Sequence, residues 1–137
     1  VIVVYDDEEH REGVIVLWKS VFNYKSPHNA PEISLSKKLG ADDGLLFVAV
    51  EERKVIGTVM AGYDGHRGWL YSLAVELGER GRGVGGALMK TAESALAERG
   101  CLKVNLQIMP KNQEVTHFYE SMGYGVEERI NMGKVIG

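Results

Sequence analysis

A single cysteine, Cys101, in 137 residues excludes an internal disulfide, and a reducing compartment agrees with that. The four histidines are scattered and no second thiol joins them, so no metal-ligand spacing forms and no metal is expected. No apolar run approaches the roughly 18 residues a membrane span needs. The first residues also lack the basic start and apolar stretch of a signal peptide, so no membrane partner is expected and the cytoplasm is the expected address. Positive charge is not in surplus either. A net charge of −3 argues against a broad nucleic-acid-binding face, and no nucleic-acid partner is expected. What remains is ordinary: 45% hydrophobic and 26% charged residues are the proportions of a soluble globular domain. The length suits a single domain over residues 1–137, without linker or repeat.

Glycine is what the chain has in quantity, and in one place it is concentrated. Gly81, Gly83, Gly85 and Gly86 fall within six residues, between an apolar run at 69–75 and an amphipathic segment reaching about Arg99. The order reads as strand, glycine-rich turn, helix. Glycine removes the Cβ atoms that block close approach, and the first turn of a helix leaves N–H groups without intrahelical partners. Arg80 and Arg82 add permanent charge in a forked geometry suited to phosphate oxygens. The stretch is a candidate phosphate cradle, with Val84 inside it.

Spacing separates the families that use such a turn. A Walker loop needs Lys and then Ser or Thr after its last glycine, but Ala87 and Leu88 follow Gly86. Gly81, Gly83 and Gly86 satisfy G-x-G-x-x-G. The dinucleotide fingerprint, however, wants the strand to run straight into the first glycine and an acid at the end of the next strand. Residues 76–80 intervene, and the run 103–109 ends without an acid. Arg80, Gly83 and Gly85 fill a third pattern, R/Q-x-x-G-x-G/A. Downstream, Asn112, Tyr119, Gly123 and Tyr124 fill N-x-x-A-x-x-x-Y-x-x-x-G-F/Y, with Val115 where Ala is usual.

With those two motifs in that order, the chain resembles the GCN5-related N-acetyltransferase (GNAT) family over nearly its whole length. A closer likeness, through Pro27-His28-Asn29-Ala30-Pro31-Glu32 and the stretch from Gly57 to Gly68, is to small bacterial YpeA-type acetyltransferases. The resemblance implies an α/β (α+β) fold: a mixed, mostly antiparallel sheet of six to seven strands, about four helices, and a parallel pair of strands splayed apart in the centre. It implies acetyl-CoA as acyl donor and an amine acceptor, small molecule or peptide or protein, and it leaves room for a homodimer. By the same resemblance the cradle Arg80, Gly81, Arg82, Gly83, Val84, Gly85, Gly86 holds the pyrophosphate of coenzyme A. Leu73, Ala74 and Val75 offer backbone groups to its pantetheine arm, and Asn112 and Tyr119 also contact it. Many relatives carry a proline after that strand, so residues 76–79 here imply a looser entrance to the cradle.

Taken in order, residues 1–5 suit a short strand. Val14, Leu17, Trp18 and Val21 repeat at helical spacing over 8–21, with Asp6 and Asp7 placed to suit a helix start. Residues 23–31 read as a loop, and 32–39 as a short helix closed by Gly40. The runs 44–51 and 54–63 form a hairpin around Glu52-Arg53, and 69–75 completes a meander. A helix over 86–99 stops at Gly100, and the strand 102–109 that follows runs parallel to 69–75. A helix over 113–122 ends at Gly123, and 124–136 holds one bent strand or two short ones.

Acetyl transfer to an amine requires a neutral nucleophile, a donor for the developing oxyanion and a proton for the departing thiolate. Tyr119 is the candidate acid, since a phenol with a reference pKa near 10 is protonated at neutrality. Its position matches the family's proton donor. Asn112 also suits a helix N-cap. The base is open. Some relatives use a glutamate where Gln107 stands, and Gln107 takes no proton, leaving His66, Asp64, Tyr71, Glu32 and His28. A non-catalytic acyl-CoA-binding module is the alternative that a missing base allows.

Overall fold

The computed structural model describes residues 1–22, 27–109 and 115–137. Five strands and four α-helices appear among them, in the order β1 (Ile2–Val4), α1 (Asp7–Val21), α2 (Pro31–Ala41), β2 (Leu46–Glu51), β3 (Lys54–Tyr63), β4 (Gly68–Val75), α3 (Val84–Glu98), β5 (Val104–Leu106) and α4 (Thr116–Ser121). The strands form one sheet in the order β1-β2-β3-β4-β5, antiparallel except for the parallel β4 and β5. Contacts group the chain into two units, Val1–Gln107 and Ile108–Gly137.

In the first unit, local chemistry sets the elements. Asp6 caps α1 by accepting the Glu9 N–H at 2.9 Å, and three acids in the first turn favour the helix dipole. The β2–β3 hairpin turns on Glu52 and Arg53, both at positive φ, the two-residue geometry that matches strand twist. Successive strand residues face opposite sides of a sheet. Thr58 therefore meets Trp18 of α1, whereas a Cβ on Gly57 would meet Leu88 and Val84 of α3. One face buries Val14, Leu17, Trp18, Leu35, Leu46 and Val48 together; Leu88, Met89, Ala92 and Leu96 are the buried stripe of α3.

Three expectations need correction. Gly40 does not close α2; the helix runs through it to Ala41 and ends at Asp42, whose φ of 48° is a left-handed conformation that aspartate tolerates. β5 spans three residues where 102–109 suggested a strand, because only Gly68–Leu70 of β4 stay in register with it. The sheet has five strands, fewer than the expected six to seven, since residues 124–137 contain none. Of their aliphatic and methionine residues, 126, 130, 132 and 136 share even positions and only Val135 does not. A period-2 signal makes a strand only where another strand accepts its ladder bonds.

In the second unit, α4 ends in a motif that explains part of its sequence. The Tyr124 N–H bonds the Tyr119 C=O at 3.1 Å and the Gly123 N–H bonds the Glu120 C=O at 3.0 Å, with Gly123 at φ +96°. This is the paired C-terminal cap that requires a left-handed residue after the helix. The accompanying contact is between the rings of Tyr119 and Tyr124, 6.2 Å apart. Thus Tyr-x-x-x-Gly-Tyr also encodes a helix stop.

Candidate active site

The site grows from a break in the β3–β4 ladder. Thr58 pairs with Ala74 and Met60 with Tyr71, so Ser72 and Leu73 together oppose the single residue Val59. That extra residue is a β-bulge. Ser72 sits at φ +53°, where an L side chain is strained by roughly 1–2 kcal/mol. Its carbonyl accepts a hydrogen bond from the Thr58 hydroxyl at 2.9 Å, and Thr58 Oγ1 in turn accepts from Trp18 Nε1 at 2.8 Å. Sequence reading missed this chain. Its only trace there is a lone threonine in the apolar run 55–61 and a tryptophan on the buried stripe of α1.

On its other edge β4 pairs with β5 at Gly68, Trp69 and Leu70 and then parts from it, which is the expected splay, although the pair stands at the edge of this five-strand sheet and not in its centre. Leu73, Ala74 and Val75 lie on the parted stretch. The Glu76 N–H bonds the Ile56 C=O on β3, and a trans peptide points its carbonyl the opposite way, so the Val75 C=O faces the free edge. Arg80 Nε reaches that carbonyl at 3.0 Å.

Beyond Val75 the chain makes a single 3-10 turn, Leu77–Glu79, and enters α3 through Gly81 and Gly83, both at φ +82°. Along this turn Glu76 pairs with Lys54 at 2.7 Å, and Glu79 pairs with Arg82. Gly83 is the N-cap and supplies no side-chain bond. The first helical bond runs from the Ala87 N–H to the Gly83 C=O, so the amides of Val84, Gly85 and Gly86 precede the intrahelical ladder. A Cβ at Gly81 or Gly83 would meet nothing within 4 Å. These glycines therefore serve backbone conformation and leave open space in front of the turn. The arrangement is a donor-rich concavity that suits an anion with several oxygens.

Both arginines already have partners, one of them on β2. Arg82 Nη2 lies 3.1 Å from Glu51 Oε1 while Nη1 binds Glu79, and Arg80 folds onto Val75. An open groove of about 380 Å³ flanks this point, with Ala49, Glu51, Ile56, Arg82, Gly83 and Val84 in its walls. Arg99 lies at the far end of α3, where Nη2 donates to the Asp43 C=O at 2.6 Å. Fifteen helical residues, about 22 Å, separate the two ends.

Tyr119 lies in α4, against Phe118 at a ring separation of 5.2 Å and against Tyr124. Burial raises its pKa above the usual phenol value, so its proton is held. Asn112 lies outside the described residues. Of the base candidates, Asp64 has its carboxylate held below the ordinary range by the N–H groups of Arg67 and then His66. Glu32 is lowered by its own backbone N–H and by Lys19. Tyr71 is raised by burial and by nearby Asp64. The two lowered carboxylates hold a proton poorly, and Tyr71 already carries its own at neutrality, which leaves exposed His66 and His28.

Comparison with known proteins agrees with this geometry. The model of the acetyltransferase (GNAT) family matches residues 11–124, so the chain belongs to that family and is an N-acetyltransferase. Among solved structures, it is similar to the PaiA N-acetyltransferase of Thermoplasma acidophilum in complex with coenzyme A, with a TM-score of 0.81 and 19% identity over 95% of this chain and 92% of that one. It is also similar to AAC(6′)-Iy in complex with the bisubstrate analog CoA-S-monomethyl-acetylneamine, with a TM-score of 0.80 and 21% identity over 100% and 98%. A third is glucosamine-6-phosphate N-acetyltransferase from Arabidopsis thaliana, with a TM-score of 0.73 and 22% identity over 100% and 98%.

Proposed function

We propose that this chain transfers an acetyl group from acetyl-CoA to a primary amine by direct attack in a ternary complex. The observation that carries the reading is the continuity of three features in one stretch: the bulge at Ser72, the free edge of β4 and the amide-rich start of α3. Acetyl-CoA supplies a thioester as the acyl source and a pyrophosphate as the handle. The first-turn amides of Val84, Gly85 and Gly86 hold that handle, and Gly81 and Gly83 give it room. Arg82 joins by exchanging Glu51 and Glu79 for phosphate oxygens, and Arg80 by leaving Val75. Release of the Val75 carbonyl then completes the free edge that Leu73, Ala74 and Val75 present to the pantetheine arm. Asn112 contributes a further contact.

Tyr119 is the acid in this reading. Its half-buried, protonated phenol gives its proton to the departing thiolate, and the amine proton leaves through His66 or His28 and solvent. The acceptor is a small amine or a peptide or protein amine; the named relatives that act on amino sugars put amino sugars into the panel to be tested. Residues 1–137 act as a single N-acetyltransferase domain.

The test is thiol release from acetyl-CoA across amino sugars, polyamines and peptide amines, run beside Tyr119→Phe. Release well above the blank with one class, lowered in the variant with coenzyme A affinity kept, is expected. An unchanged rate in Tyr119→Phe removes the assigned acid. Coenzyme A binding with no release across the panel favours the non-catalytic binding module.

A further inference from the structure

The chain of hydrogen bonds behind the bulge has a consequence for the site. Trp18 and Thr58 are 1% and 0% exposed, yet each spends its polar group on this one chain, which ends on the carbonyl of the strained residue Ser72. Neither group is needed to fill space: Val is nearly isosteric with Thr, and Phe could serve on the buried stripe of α1. An apolar pair would leave Ser72 in its left-handed conformation without the bond that favours it. Relaxation of that residue would shift the backbone of residues 73–75.

We propose that Thr58 and Trp18 are positioning residues: they lock the Ser72 bulge and thereby set the backbone of Leu73, Ala74 and Val75 for the acyl donor. This rests on the acetyltransferase reading for its consequence, though not for the lock itself. Trp18 donates to Thr58 Oγ1, which fixes the hydroxyl so that its own proton points at the Ser72 C=O. Each member satisfies the next, and loss of one leaves a buried partner unsatisfied. A purely structural hydrogen bond would lower stability without selectively altering residues 72–75 or donor binding.

The experiment compares Thr58→Val, Thr58→Ser and Trp18→Phe with Val48→Ala, a cavity variant at a fully buried position of the same core. Amide hydrogen exchange of the free protein is read at 72–75, and the dissociation constant of coenzyme A is read by calorimetry. Expected for Thr58→Val is exchange at 72–75 faster than the global stability loss accounts for. Coenzyme A affinity should be weaker by roughly 5- to 30-fold, the scale of one lost buried hydrogen bond. Thr58→Ser should stay within about twofold of the parent, and Trp18→Phe should move in the direction of Thr58→Val; should Thr58→Val fail to fold, Trp18→Phe carries the comparison. Equal exchange and affinity in Thr58→Val and Val48→Ala would overturn the proposal, as would failure of serine to rescue. A parent protein that does not bind coenzyme A would instead remove the functional reading, while the exchange data still judge the lock.

Discussion

Gly83 allows the cradle to be tested with two substitutions whose effects on stability and on binding run in opposite orders. Its φ of 82° is strained for any L side chain, by about 1–2 kcal/mol, and a Cβ there meets no atom within 4 Å. Alanine also narrows the unfolded ensemble, which offsets about 0.4–1 kcal/mol of that strain. Gly83→Ala should therefore lose on the order of 1 kcal/mol, a fall in Tm of roughly 3 °C for a chain of this size. Aspartate has the same strain, but its negative charge favours the N-terminal end of the helix dipole, recovering about 0.3–1 kcal/mol. Gly83→Asp should thus be at least as stable as Gly83→Ala. Its binding should be far worse, because a side chain and a negative charge then stand against the pyrophosphate and displace it from its donors. Loss of two charge-assisted hydrogen bonds at about 1.5–3 kcal/mol each lowers affinity by more than about 100-fold. Thermal melting and calorimetric titration with coenzyme A read both quantities. If the folded Asp variant binds within threefold of the Ala variant, the first turn of α3 is not the pyrophosphate site.

Further outcomes follow from the packing and from burial. Tyr119→Phe should lower kcat and leave the coenzyme A dissociation constant within about twofold, since ring burial is kept and only a proton donor is lost. Burial raises the Tyr119 pKa, so any basic limb of kcat that it sets lies above pH 10, measurable in a rate profile and absent from the variant. Linkage has the same sign: the unfolded phenol ionises first, so this contribution to stability is intact below about pH 10 and is lost as pH rises further. Tyr5, raised chiefly by burial and then by its bond to Asp7, acts in the same direction. Gly57→Ala would set a Cβ 2.9 Å from Leu88 Cδ1 and 3.2 Å from the Ala74 C=O, an overpacking cost of roughly 1–3 kcal/mol, visible as a lower urea midpoint. A midpoint unchanged by Gly57→Ala would mean that α3 stands off from β3.

Much of this protein was determined locally and could be read along the chain. Periodicity located α1 and α3, Glu52-Arg53 marked the hairpin, and Gly100 and Gly123 ended their helices because each adopts the left-handed conformation that a C-terminal cap needs. The cradle was legible for the same reason: a run of glycines before a helix is a local instruction to the backbone. Tertiary structure decided what depends on partners distant in sequence. Whether a run becomes a strand depends on a free edge in register, so β5 shortened to Val104–Leu106 and residues 124–137 formed none. The pairing of Arg82 with Glu51, 31 positions away, depends on where β2 passes the loop. The bulge at Ser72 depends on an indole 54 positions earlier in the chain, through the hydroxyl of Thr58. Backbone preference is a property of neighbours along the chain and is written in the sequence. Register, ion pairing and buried hydrogen bonding are properties of neighbours in space, and the fold alone brings those together.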